Sequence, residues 1–166
     1  MRLIFVAFLL TSIALASCEE AKMPAPFSTG MEGKALPAFS IQLLDSVSWW
    51  HSNDIPQNKY LIIFYFSPTC LYCRAQMRDM VNNIETFKDA QLCVLTDARL
   101  HSVRQFAKYF ELDNYKDVIV GRDTGKVIRQ KYRPLGVPFT AYFDKNKNLK
   151  VAYAGRLTSH SLLNIK

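Results

Sequence analysis

The chain has no run of five or more like charges, no internal repeat and no low-complexity tract. It also lacks any unbroken apolar stretch near the ~20 residues that a bilayer-spanning helix takes. Its 21 Lys and Arg are scattered against 14 Asp and Glu, so the net charge of +7 reads as a solvated surface. No zinc-finger or RNA-binding signature is present, and no nucleic-acid partner is expected. Histidine is scarce: His51, His101 and His160 stand far apart, and there is no second C-x-x-C to complete a four-ligand zinc site. No metal and no cofactor are therefore expected. With 166 residues, 49% of them hydrophobic, the chain suits one globular domain with a proper core.

The amino terminus reads as an export signal. Arg2 supplies a positive end, Leu3 to Leu10 is apolar, and small residues follow down to Ser17. Leu15-Ala16-Ser17-Cys18 resembles the lipobox of bacterial lipoproteins. That resemblance implies cleavage before Cys18, lipid attachment to it, and a lipid-anchored place in the bacterial cell envelope, periplasm-facing or at the outer membrane. Residues 1–17 are thus expected as signal, 18–33 as a lipidated tether rich in Pro and Gly, and 34–166 as the folded domain.

Within that domain Phe39, Ile41 and Leu43 alternate with polar residues, as on a half-buried strand. Tyr60 to Phe66 is a β-branched and aromatic run suited to a central strand buried on both faces. Cys73, Met77, Met80, Val81, Ile84 and Phe87 then fall on one helical stripe. Leu92 to Leu95 predicts a second buried strand, Leu100 to Phe110 a second amphipathic helix, and Val118 to Val120 a short strand. Phe139 to Phe143 and Leu149 to Ala154 flank a polar turn as a hairpin, and Ser159 to Ile165 allows a last helix. The order β-α-β-α-β-β-α predicts an α/β sandwich on a mixed sheet.

Cys70-Leu71-Tyr72-Cys73 lies where a buried strand meets a helix. The N–H groups at a helix start favour an anion, by up to ~2 kcal/mol in partly buried geometries, so Cys70 is placed to be a thiolate. Arg74 stands close enough in sequence to add to that effect. Residues three apart on a helix are neighbours, so Cys73 can close a disulfide with Cys70. Such a bridge spans too little chain to be a useful staple. Three readings stand on the residues alone: a redox dithiol, a structural disulfide, or half of a metal site. Placement and loop length favour the first. Cys93, in an apolar run, reads as an inert core thiol, and Trp49-Trp50 as one buried and one surface ring.

Residues from about Gly33 to Leu157 resemble thioredoxin-like proteins of the TlpA/ResA type, related to the peroxiredoxin (AhpC/TSA) superfamily. The likeness rests on FYFSPTCLYCRAQM at 64–77, GVPFTAYFD at 136–144 and GKALPAFSIQLLD at 33–45. It implies a thioredoxin-like three-layer sandwich, a mixed central sheet flanked by helices. It further implies a thiol–disulfide oxidoreductase in which Cys70 attacks a substrate disulfide and Cys73 resolves the mixed disulfide. Pro138 would be cis, with Val137 offering backbone groups to the substrate. Thr69, Tyr72, Val137 and Pro138 are the candidate substrate-binding residues. Partners would be protein disulfides and an upstream thiol electron donor, and reduction of clients is the expected direction. One departure stands out: where many thioredoxins carry a buried proton-transferring aspartate, this chain has Phe64. Nearby polar candidates are Tyr65, Tyr72, Ser67 and Thr69. A thiol peroxidase and a redox-inactive tethered binding module are the alternative functions. The spacing in SPTC does not fit the usual peroxidatic signature, and the intact pair of motifs weighs against a vestigial dithiol.

Overall fold

The structure is a computed structural model and describes residues 23–165. The expected signal at 1–17 and the lipid-attachment residue Cys18 lie outside the described residues. No helix among the described residues is long and apolar enough to cross a membrane.

Seven strands form one sheet. They are β1 (Ser40–Gln42), β2 (Trp49–His51), β3 (Tyr60–Tyr65), β4 (Ala90–Thr96), β5 (Val118–Arg122), β6 (Phe139–Phe143) and β7 (Leu149–Ala154). Their order is β2-β1-β5-β4-β3-β6-β7. The pairs β3/β4 and β4/β5 are parallel, and the remaining pairs are antiparallel. Helices α1 (Leu71–Asn82), α2 (Leu100–Tyr109), α3 (Val127–Tyr132) and α4 (Ser159–Leu163) cover the sheet.

The two-sided burial expected of Tyr60 to Phe66 is what splits the core. Ile62, Phe64 and Phe66 point to one side, where Met77 and Met80 of α1, Phe106 of α2 and Leu162 of α4 meet them. Leu61, Ile63 and Tyr65 point to the other, where Ile128 and Tyr132 of α3 pack. Alternation along one strand therefore feeds two apolar layers. Gly121 in β5 answers to close packing: a Cβ there would stand 2.6 Å from Ile41 Cδ1 and 2.9 Å from the Gln42 carbonyl oxygen.

Both β6 and β7 occupy the spans read from the sequence, whereas β2 and α3 were not foreseen. The tether expectation for 18–33 is corrected in its second half. Pro26 bridges Tyr153, Phe27 N–H donates to the Ala152 carbonyl at 2.7 Å, and Gly33 N–H donates to that of Leu149 at 2.8 Å. This segment lies along the free edge of β7, because an edge strand leaves N–H and C=O groups that a passing chain can pair.

Candidate active site

Strand β3 ends at the C-terminal rim of the sheet, and the chain turns through Ser67-Pro68-Thr69 into α1. Cys70 N–H donates to the Ser67 carbonyl at 3.1 Å, which closes that turn. Cys70 is the N-cap of α1, with extended backbone. Its Sγ accepts the Cys73 N–H at 3.3 Å and thereby takes up one of the four donors that a helix start leaves without partners. On its other side the Cys70 thiol donates to the Val137 carbonyl oxygen, 3.7 Å away. The Val137–Pro138 peptide bond is cis, as the family resemblance implied. Cys70 is partly exposed and Cys73 fully buried, and both are free thiols.

Of the four candidate contact residues, Thr69 and Tyr72 are exposed, Val137 is half-buried and Pro138 is buried. Leu71 (80% exposed), Tyr72 (68%) and Leu135 (87%) form an apolar fringe on the segments that flank the dithiol and the cis-proline loop. The fold thus brings the two sequence motifs, 67 residues apart between Cys70 and Val137, into contact at one point.

The two sulfurs differ in electrostatics. Burial, and then the Cys70 side chain, push the Cys73 thiol well above the ordinary thiol range. Burial alone does the same to Cys93, which lies in the middle of β4. The suggestion that Arg74 supports a charge on Cys70 is corrected. Its guanidinium carbon lies 4.3 Å from the Tyr109 ring centroid, stacked on α2.

Beneath the dithiol Phe64 stacks on Phe66, with centroids 5.8 Å apart, so that position is wholly apolar. Tyr65 cannot serve the sulfurs. It belongs to the opposite core, and burial pushes its hydroxyl up to about 12. Gln76 was missed. It is fully buried, its Nε2 donates to Thr140 Oγ1 at 3.0 Å, and its Oε1 accepts the Leu157 N–H at 2.9 Å. Its signal was its place between Cys73 and Met77 on the inward stripe, where a polar residue has to find partners. It ties α1 to β6 and to the segment after β7. Among the described residues no group of three or more His, Cys, Asp or Glu is placed to hold a metal.

No protein-family model matches the chain, and no curated protein matches it. Solved structures do. One is a secreted disulfide oxidoreductase of Mycobacterium tuberculosis homologous to E. coli DsbE, at TM-score 0.63 and 14% identity, covering 76% of this chain and 92% of that one. The fold is thioredoxin-like. The thioredoxin domain of a Bacteroides vulgatus thiol-disulfide oxidoreductase superposes at TM-score 0.63 and 18% identity, covering 80% of this chain and 93% of its own. StoA from Bacillus subtilis does so at 0.61 and 11%, covering 78% and 96%. At such identities the likeness is one of architecture. In this thioredoxin-like domain the dithiol sits where β3 hands over to α1, and the cis-proline loop faces it.

Proposed function

We propose that this chain is a lipid-anchored thiol–disulfide oxidoreductase of the bacterial envelope, working as a reductant of protein disulfides. The observation that carries the reading is the placement of Cys70. It caps a helix, accepts an N–H from its partner cysteine, and meets the carbonyl next to a cis proline. A sulfur in that position can carry negative charge and be reached from solvent, while Cys73 waits protonated behind it.

The exchange runs in two steps. The Cys70 thiolate attacks one sulfur of a client disulfide, forming a Cys70–client bond and releasing the other client sulfur as a thiolate that takes a proton. Cys73 then loses its proton and attacks the Cys70 sulfur, forming the Cys70–Cys73 disulfide and releasing the second client thiol. Two electrons pass from the dithiol to the client, and an upstream thiol donor restores the dithiol. Val137 supplies backbone beside the attacking Cys70 sulfur, and the exposed Thr69 and Tyr72 flank Cys70 in the chain as contacts for the client. Support for the chemistry comes from the solved neighbours described as disulfide oxidoreductases. Support for the anchor comes from Leu15-Ala16-Ser17-Cys18 after an apolar signal.

Reduction of insulin disulfides tests the reading. Cys70→Ser is expected to bring the rate to background, and Cys73→Ser to accumulate a mixed disulfide visible on a non-reducing gel. A Cys70→Ser protein as active as the native one overturns the assignment. Because Cys73 is held protonated, the release step is expected to accelerate as pH rises through the neutral and alkaline range. For the anchor, Cys18→Ala is expected to move the protein from the membrane fraction to the soluble envelope fraction.

A further inference from the structure

We propose that the groove between α1 and α2, beside the dithiol, binds an acidic segment of the client polypeptide next to its disulfide cysteine, through Arg74 in its wall and Arg78 at its far end beyond Tyr109. The inference rests on the disulfide-exchange reading and names the client that this site selects.

The groove has a volume of about 490 Å³, within the ~300–1,000 Å³ usual for ligand sites. Pro68, Thr69, Arg74, Gln105 and Tyr109 line it around Phe106. It begins at Thr69, one residue from the attacking sulfur, so a client disulfide engaged at Cys70 lies at its mouth.

Both cations are held on one aromatic ring. The Arg74 guanidinium stacks 4.3 Å from the Tyr109 centroid, and Arg78 Nη2 donates to the Tyr109 hydroxyl oxygen at 2.8 Å. Stacking and a hydrogen bond restrict two long side chains before any ligand arrives, which lowers the ordering cost of binding. Neither cation is neutralised. The ion pairs among the described residues are Lys59–Asp117 and Arg129–Asp97, and neither involves Arg74 or Arg78. Asp79, the one acid on α1, accepts the Ser159 N–H at the start of α4 and the Asn83 amide. Helix α2, LHSVRQFAKY, carries no acid at all. The uncompensated charge is felt by Tyr109, whose hydroxyl is held below the usual tyrosine range by Arg78 first and then Arg74.

Planar guanidinium forks match carboxylates. Arg74 and Arg78 are one helical turn apart, about 6 Å along α1. Alternate residues of an extended chain are ~6.6 Å apart and point the same way. Arg74 in the groove and Arg78 one turn beyond it, joined through Tyr109, therefore fit an acidic-x-acidic pattern in an extended client, within a few residues of its cysteine.

The test uses the reduced full chain and three fluorescent peptides with one internal disulfide, flanked by Glu-x-Glu, Gln-x-Gln or Lys-x-Lys. At low ionic strength the Glu peptide is expected to be opened about tenfold faster than the Gln peptide and the Lys peptide slowest. In 1 M salt, where the screening length is ~3 Å, the three rates are expected to converge. Arg74→Gln with Arg78→Gln is expected to bring the Glu peptide to the rate of the Gln peptide. Lys88→Gln with Lys116→Gln removes the same charge from the far end of the sheet and is expected to keep the preference. Should the double arginine variant fold poorly, Arg78→Gln alone, at an exposed position, is expected to cut the preference to about threefold. Equal rates for Glu and Gln peptides, or a preference that survives loss of the arginines, overturns this inference alone. Failure to open any of the three overturns the exchange reading and this inference with it.

Discussion

On one face of the sheet three helices, α1, α2 and α4, close over Phe64 and Phe66. On the other, a six-residue helix and the irregular chain from Phe27 to Phe39 close over Ile63 and Tyr65. The first face is built by amphipathic periodicity, and its longest helix also presents the dithiol. The second is built by short pieces held through particular hydrogen bonds. One sheet can thus carry a reactive end on regular helices while its back is sealed by local devices. Each face buries one protonated thiol, Cys73 under α1 and Cys93 behind β4.

The contrast can be pressed by substitution and urea unfolding. The largest effect is expected on the helical face. Phe106, fully buried and 4.2 Å from Phe66 between ring centroids, should cost about 3–5 kcal/mol when cut to Ala. On the back face, Asp123 accepts N–H groups of Val127 at 3.0 Å and Ile128 at 2.9 Å, and so caps α3. Asp123→Ala is expected to cost about 2–3 kcal/mol, read from the shift of the urea midpoint. A loss as large as that of Phe106→Ala would mean that the back face depends on one cap as heavily as the front depends on its core.

A smaller effect is expected at the two buried thiols. A thiol held protonated by burial keeps a proton that the unfolded chain gives up above pH ~8.5, so stability falls as pH rises past that point. Cys93 alone should cost about 1.4 kcal/mol by pH 9.5. Thermal midpoints of the reduced protein should fall less steeply between pH 7 and 10 in Cys93→Ala and in Cys73→Ala than in the native protein. The smallest effect is expected at the edge: Phe27, half-buried and 6.1 Å from the Phe139 ring, should cost about 1 kcal/mol as Ala and leave insulin reduction unchanged.

The front face was legible in the sequence because its signals are periodic. The stripes of α1 and α2, the run of β3 and the polar turn between β6 and β7 each obey a simple spacing. So did the dithiol, and the family resemblance carried the cis Val137–Pro138 bond. The back face obeys no period. Helix α3 is six residues long and is capped by a carboxylate four positions before it, not by a residue at its own N-cap. Strand β2 has three residues. The run from Pro26 to Leu36 looks like linker because its pairing with β7 uses backbone groups, which leave no mark on side-chain composition. Gln76 was hidden by the opposite habit, since a reading of the stripe for apolar residues passes over a polar one that is satisfied inside. The turn of Arg74 toward Tyr109 depends on how α1 and α2 lie together, a long-range property that no local pattern holds.

For the proposed anchoring at Cys18, the bridge from Pro26 to Tyr153 has a consequence in space. Tyr153 pairs with Thr140 and Thr140 with Phe64, so the chain joins the sheet at the level of the active rim, three strands or ~14 Å from β3. Positions 18 and 26 are eight residues apart, a leash of at most ~28 Å. Under that proposal the attachment enters at the same rim of the sheet as the dithiol, so the end of the domain that meets clients would be the end nearer the bilayer.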